Sequence, residues 1–548
     1  MKKISTNPSQ LRQGMSIGTG NAETDDEFLF DCFVNHGSKF EFEKCSSPRM
    51  IIAGRTGSGK TAILRQIYHE AEHAVELDLT EMSMNYVSNS DALRFLNSIG
   101  ADLDLLFQIL WKHVLCIEFI RLRWSVDSVE KSNSIFQKIV DRFGNNPRKA
   151  KAIKYLKDWE GRFWITMDEN IKEITESFEN KFGAEFGLDI EKFSAGGQYD
   201  KRMSVDKKKE IVARTKQIID SNQLQELAQI IDVLAELSDL EGMKSYYLLI
   251  DKLDEHWVDA EVRFKMIRAL LSSLRQFRKI SNLKILAALR TDVRERVMLE
   301  TVDPTFQREK FDDYALNVTW KKQQLLELVD LRIGQLFKKQ YTNDTVKYST
   351  IFPDKMASNK DTFSWMLERT LMRPRDIIHF INECIDMSEG DYDISVRNIK
   401  KAEYEYSRKR RDALLQEWYS AQPHLDEMIR LFVDKEHRVY KLGAIPTDKI
   451  QETAMNIAAR PNPQKDLFWD MCKNVFDGGG VSEVEMVSVA ASICYRVGAI
   501  GLKLSTEEPF VYSHLNEPLI PFDVLSTDTK VKVHPMLHGA YRISVVGE

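Results

Sequence analysis

The chain has 548 residues, of which 43% are hydrophobic and 29% charged, with a net charge of -6. That composition suits an ordinary soluble protein of about three or four domains, and its acidity excludes a general attraction to nucleic acid. The six cysteines, Cys32, Cys45, Cys116, Cys384, Cys472 and Cys494, form no C-x-x-C pair, which argues against a disulfide framework or cysteine zinc site and for a reducing cytoplasm.

The opening "MKKISTNPSQLRQGMSIGTG" has no apolar stretch of the signal-peptide kind. "RMIIAG" (49–54) predicts a short buried strand running into a Gly-rich turn, "KTAILRQIYHEAE" a helix, and "HAVELDL" (73–79) a second strand. Strand, loop, helix, strand is the opening of a parallel α/β sheet. The apolar helix that follows contains "LFQILWKHVLCIEFIRL", interrupted by Lys112, His113 and Glu118, so no membrane span and no membrane partner are expected. Residues 125–240 are charged and helical and read as an insertion. The sheet resumes at "SYYLLID", continues in "LKILAALR" and ends at "YALNVTW". The expected fold is a P-loop α/β sheet in two parts (1–124 and 241–320) around the 125–240 helical insertion, followed by a helical lid (321–420) and a winged-helix-like domain (421–548).

"GRTGSGKT" (54–61) matches G-x-x-x-x-G-K-[ST] in full. Gly54, Gly57 and Gly59 let the backbone bend so that the N–H groups of Arg55, Thr56, Ser58 and their neighbours face phosphate oxygens. Lys60 reaches the β- and γ-phosphates, and the Thr61 hydroxyl ligates Mg²⁺. Asp251 ends an apolar strand, where a carboxylate can hold the metal's water shell; the plainer reading is an Asp capping the next turn. ATP and Mg²⁺ are the expected ligands.

Together "GRTGSGKT", "LLIDKLDEHW", "ILAALRTDV" and "RPRDIIHFIN" resemble bacterial P-loop ATPases of the KAP and STAND branches of the AAA+-like group. "NAETDDEFLFDCFV" and "VKVHPMLHGAY" resemble one subgroup, often described as DNA-repair or phage-defence ATPases. The resemblance spans most of the chain outside 125–240. It implies a γ-phosphate sensor at Arg290 or Thr291 and a second sensor at Arg373 and Arg375, with Pro374 in the first turn of the lid helix. It also implies an arginine supplied in trans within a homo-oligomer, for which Arg294 and Arg296 are candidates; the plainer reading pairs them with Glu295 or Glu300. Related ATPases commonly carry a second acid after the first, where this chain has Lys252. Asp254 or Glu255 would have to be returned by a tight turn to act as base, so slow hydrolysis is expected.

His534 and His538 have i, i+4 spacing, but Pro535 and the lack of a carboxylate pattern favour packing over zinc. The basic stretch 142–157, with Arg142, Arg148, Lys149, Lys151, Lys154, Lys157 and nearby Tyr155 and Trp159, fits a solvated helix face or a nucleic-acid contact. The C-terminal domain, without a strongly basic recognition helix, suits a protein contact at least as well as DNA. The resulting expectation is a slow switch ATPase controlling assembly, an effector or a sensor protein in phage defence. The competing readings are a DNA-repair or translocating ATPase and a nucleotide-binding scaffold without turnover.

Overall fold

A computed structural model describes residues 10–543 except 36, 78, 80–89, 146–152, 155–156, 159–166, 187–203, 221–222, 239–243, 256, 259, 301–310, 340–345, 420, 435–436, 461–464 and 517–518. The chain divides into two compact units, one of residues Asn35–Val318 and one of Met1–Val34 with Thr319–Glu548.

The Asn35–Val318 unit is built on five strands: β1 (Ile51–Gly54), β2 (Ala74–Leu77), β3 (Tyr246–Ile250), β4 (Leu283–Arg290) and β5 (Ala315–Asn317). Their order is β2-β3-β4-β1-β5, and every neighbouring pair is parallel. The near-continuous apolar runs of β1, β3 and β4 follow from coverage on both faces. The Lys60–Glu70 helix buries Ile63, Leu64 and Ile67, three residues at helical spacing, together with Gln66, and Tyr68, His69 and Glu70 are exposed. The Asp104–Trp124 helix is buried nearly all round, and its Trp111 indole donates to the Met266 carbonyl at 2.9 Å.

The 125–240 segment does not form a domain of its own among the described residues. Phe136, Phe178, Phe182, Ile211, Leu227 and Ile230 belong to one hydrophobic core with Leu248 of β3 and Ile285 of β4. Its charged sequence conceals this because only one face of each helix is apolar. Within the basic stretch, Arg142 lies over the Phe143 ring, and Lys154 and Lys157 are exposed. Arg148, Lys149, Lys151, Tyr155 and Trp159 lie outside the described residues.

The second unit corrects the expected first boundary. Residues 10–34 join it rather than the sheet: Leu11, Ile17, Phe28 and Cys32 share a core with Leu325, Phe337, Phe380 and Tyr406. Asp25 pairs with buried Arg332, and the Leu11 amide donates to the Asp391 carbonyl at 2.8 Å. No local pattern marks a contact across three hundred residues of chain. A second core in this unit spans the Glu483–Val497 helix and a three-stranded antiparallel sheet in the order β6 (Tyr440–Lys441), β8 (Lys530–Val533), β7 (Ile500–Lys503). That helix opens with Glu483 and Glu485 and buries its apolar side, so it presents acid rather than base at its N-terminus. No helix among the described residues is long and apolar enough to cross a membrane.

Candidate functional site

Gly54 closes β1 and pairs in register with Arg290, the last residue of β4. A Cβ on Gly54 would stand 2.4 Å from the Ser58 hydroxyl oxygen, so any side chain there would have to displace Ser58 within the loop. Gly57 and Gly59 take φ of 75° and 98°, the left-handed region where an L side chain is strained. The loop turns at once into the helix that begins at Lys60, so the unpaired amides of its first turn follow directly on the carboxyl end of β1. Arg55 and Thr56 flank the turn, and the Arg55 carbonyl accepts from the Ser58 amide and from Lys60 Nζ, both at 3.1 Å.

Half-buried Lys60 is pushed down to about 8 by burial, against the pull of Asp254 first and then Asp251; Arg290 adds to the lowering. The site therefore collects two cations and several carboxylates at the ends of β1, β3 and β4. Asp251, at the end of β3, is 8% exposed. Its Oδ1 accepts from the Lys252 amide at 2.9 Å, while Oδ2 is buried without a hydrogen-bond partner. Burial raises its carboxyl above the ordinary range; the Thr61 side chain, the Lys252 amide and the Lys60 charge oppose the rise, and Asp254 adds to it.

These groups fit a hard divalent cation. A buried carboxylate oxygen with an unused lone pair and an adjacent hydroxyl are oxygen donors of the right kind. No cluster of three or more His, Cys, Asp or Glu able to hold a metal occurs among the described residues.

The residues after Asp251 turn sharply. Lys252 adopts φ of 59°, and its carbonyl accepts from the Glu255 amide at 3.0 Å. Fully buried Leu253 anchors the turn, its carbonyl taking the Trp257 indole N–H at 3.0 Å, and Trp257 packs edge-on to Trp111. The turn separates the two candidate bases. Glu255 is exposed, whereas Asp254 is carried back toward β4, where its Oδ2 accepts from Arg290 Nη1 at 3.1 Å. Arg290 also forms a two-pronged pair with Asp292, Nε to Oδ1 at 3.0 Å and Nη2 to Oδ2 at 2.8 Å. Sequence reasoning missed Asp292. The available signal was its place in the first turn of the Thr291–Glu300 helix, where an acid is favoured by the helix dipole and lies two residues from the arginine.

The other candidates have partners of their own. Arg294 pairs with Asp312, and Arg296 lies over the Phe264 ring at 4.6 Å. Each guanidinium thus has a partner within its own chain, Asp312 for Arg294 and the Phe264 ring for Arg296. In the other unit, Pro374 opens the Pro374–Asp386 helix at its first position, as expected. Arg373 is 3% exposed, and its Nε donates to Asp376 at 2.9 Å; Arg410 stands 3.6 Å from the same carboxylate. Burial opposes the Arg373 charge, yet Asp376 carries it above the ordinary arginine range. Arg375 donates to the Gly20 carbonyl at 3.1 Å and is held below the ordinary arginine range by burial and by Arg373. His534 and His538 are buried packing residues: His534 Nδ1 accepts from the Met536 amide, and His538 Nε2 lies 3.2 Å from the Val533 carbonyl.

Residues 323–415, which include Arg373 and Arg375, match the family model of the FunZ-associated C-terminal helical domain. No characterised protein and no solved structure matches the chain.

Proposed function

We propose that the chain binds ATP with Mg²⁺ and hydrolyses it slowly, as a switch whose nucleotide state controls assembly or a partner protein. The observation that carries this reading is the meeting of the Gly54–Thr61 loop with Asp251 at the carboxyl ends of parallel strands, where open α/β sheets bind their ligands. The loop amides and Lys60 would hold the phosphates. Thr61 and the unpartnered Oδ2 of Asp251 would hold Mg²⁺, which when bound neutralises charge on the phosphate oxygens. The Arg290 pair with Asp254 supports slow turnover, because the nearer candidate base must part from a cation before it can accept a proton.

The winged-helix-like reading of the C-terminal domain is supported by its β6-β8-β7 sheet beside the Glu483–Val497 helix. The acidic start of that helix favours a protein partner over DNA. Equilibrium binding of a fluorescent ATP analogue tests the central claim. Lys60→Ala should weaken Mg-dependent binding at least about 100-fold, the loss expected for charge-assisted hydrogen bonds to phosphate, with an unchanged circular dichroism spectrum. Near-normal affinity in a folded variant would overturn the assignment.

A further inference from the structure

Arg290 stands between two carboxylates, and they hold it differently. Asp292 takes two of its nitrogens in a planar fork, which fixes the direction of the guanidinium; Asp254 takes only the remaining nitrogen, Nη1. The Arg290 side chain is 17% exposed, Asp292 19% and Asp254 29%, so the firmer grip is on the deeper side. The backbone of Arg290 is the register partner of Gly54, the first residue of the phosphate loop. Asp254 is also the largest electrostatic partner of Lys60, which places its carboxylate where the phosphates would compete with it.

We propose that Asp292 is a positioning residue that aims Arg290, and that Arg290 exchanges Asp254 for the terminal phosphate of ATP, so that Asp254 is unmasked as the proton acceptor only when that phosphate is present. This rests on the ATP reading above and adds how the base is controlled. A terminal phosphate offers Nη1 a more highly charged acceptor than a single carboxylate does, while the Asp292 fork keeps the guanidinium from swinging away. In the step that follows, the attacking water oxygen bonds to the γ-phosphorus and gives a proton to Asp254. The bond from that phosphorus to the bridging oxygen breaks with its electron pair leaving on ADP. Asp254 then loses the proton to solvent. Glu255, which is exposed, takes no part.

The test compares affinities of the full-length protein for ADP and for a slowly hydrolysed ATP analogue. The wild type should prefer the analogue about tenfold or more, the effect of one hydrogen bond to a charged group. Asp292→Asn should cut that preference to about twofold while leaving ADP affinity unchanged, and Asp292→Glu should restore part of it. In an Arg290→Ala background, Asp292→Asn should have no further effect, because both changes act through one guanidinium. An Asp292→Asn protein that keeps the preference overturns the proposal. So does one that loses ADP and analogue affinity equally, which marks a purely structural role, and a lowered melting temperature would identify that case. Failure of the wild type to bind either nucleotide would instead overturn the ATP reading itself.

Discussion

Replacing Asp251 by asparagine should separate function from stability in opposite directions. Asp251 is 8% exposed, and one of its carboxylate oxygens has no hydrogen-bond partner. Its carboxyl is raised by burial, so the folded state disfavours the charged form that prevails at neutral pH. A group raised in this way costs stability at every pH above its folded value, and neutralising it removes that cost. Asparagine removes the buried charge but still leaves a polar atom without a partner, so Asp251→Asn should raise stability without ligand by the charge part alone, read as a melting temperature above that of the wild type. Lys60 keeps Asp254, its largest electrostatic partner, so the loop should not collapse. With Mg-ATP the order should reverse. Wild type at 100 times its dissociation constant gains about 2.7 kcal/mol from mass action, and the variant should lose the Mg-dependent part. Thermal melts of both proteins, with nucleotide and with either Mg²⁺ or EDTA, measure each quantity. A variant that melts lower without ligand yet keeps the full Mg-dependent shift would show that Asp251 is a structural cap, and the metal assignment would fall.

Asp254→Asn should lower turnover about 100-fold with ATP affinity retained, and Glu255→Gln should leave it within about twofold, as expected when only one acid reaches the site; steady-state kinetics giving the reverse order would reassign the base. Asp376→Ala should destabilise its unit by about 3 kcal/mol in chemical denaturation, because buried Arg373 and Arg410 would lose the carboxylate they share, with Glu417 at 3.7 Å still beside Arg410; a loss under about 1 kcal/mol would mean the shared carboxylate is not what holds them. The same unit should lose stability on acidification. Burial lowers His538 to about 4 and His534 well below its ordinary 6.5, with the neighbouring histidines adding to the second. Between about 6.5 and 4 the unfolded chain therefore binds more protons, and stability falls with pH, by about 3 kcal/mol for His538 alone. A urea midpoint that stays flat across that range would contradict the burial of both rings.

The glycine-rich turn between β1 and its helix was legible in the sequence because its conformation is set locally. Gly54, Gly57, Gly59, Lys60 and Thr61 fall within eight residues, and each glycine meets a steric or φ requirement set by its immediate neighbours. The strands were equally legible, since burial on both faces writes continuous apolar runs into β1, β3 and β4. Pro374 marked its helix start for a similar local reason: its fixed φ and missing N–H suit the first turn. Tertiary structure decided which charges meet. Asp254 and Glu255 are adjacent in sequence, and only the turn at Lys252, anchored by Leu253 and Trp257, sends one toward Arg290 and leaves the other exposed. Asp292 became visible only through its fork on Arg290, and Arg294 found Asp312 rather than a helix neighbour. Residues 10–34 joined a core centred on residues beyond 319 for the same reason. A hydrophobic period or a glycine turn is imposed within a few residues of backbone, whereas an ion pair depends on where two distant segments are brought by packing, and no local spacing encodes that distance.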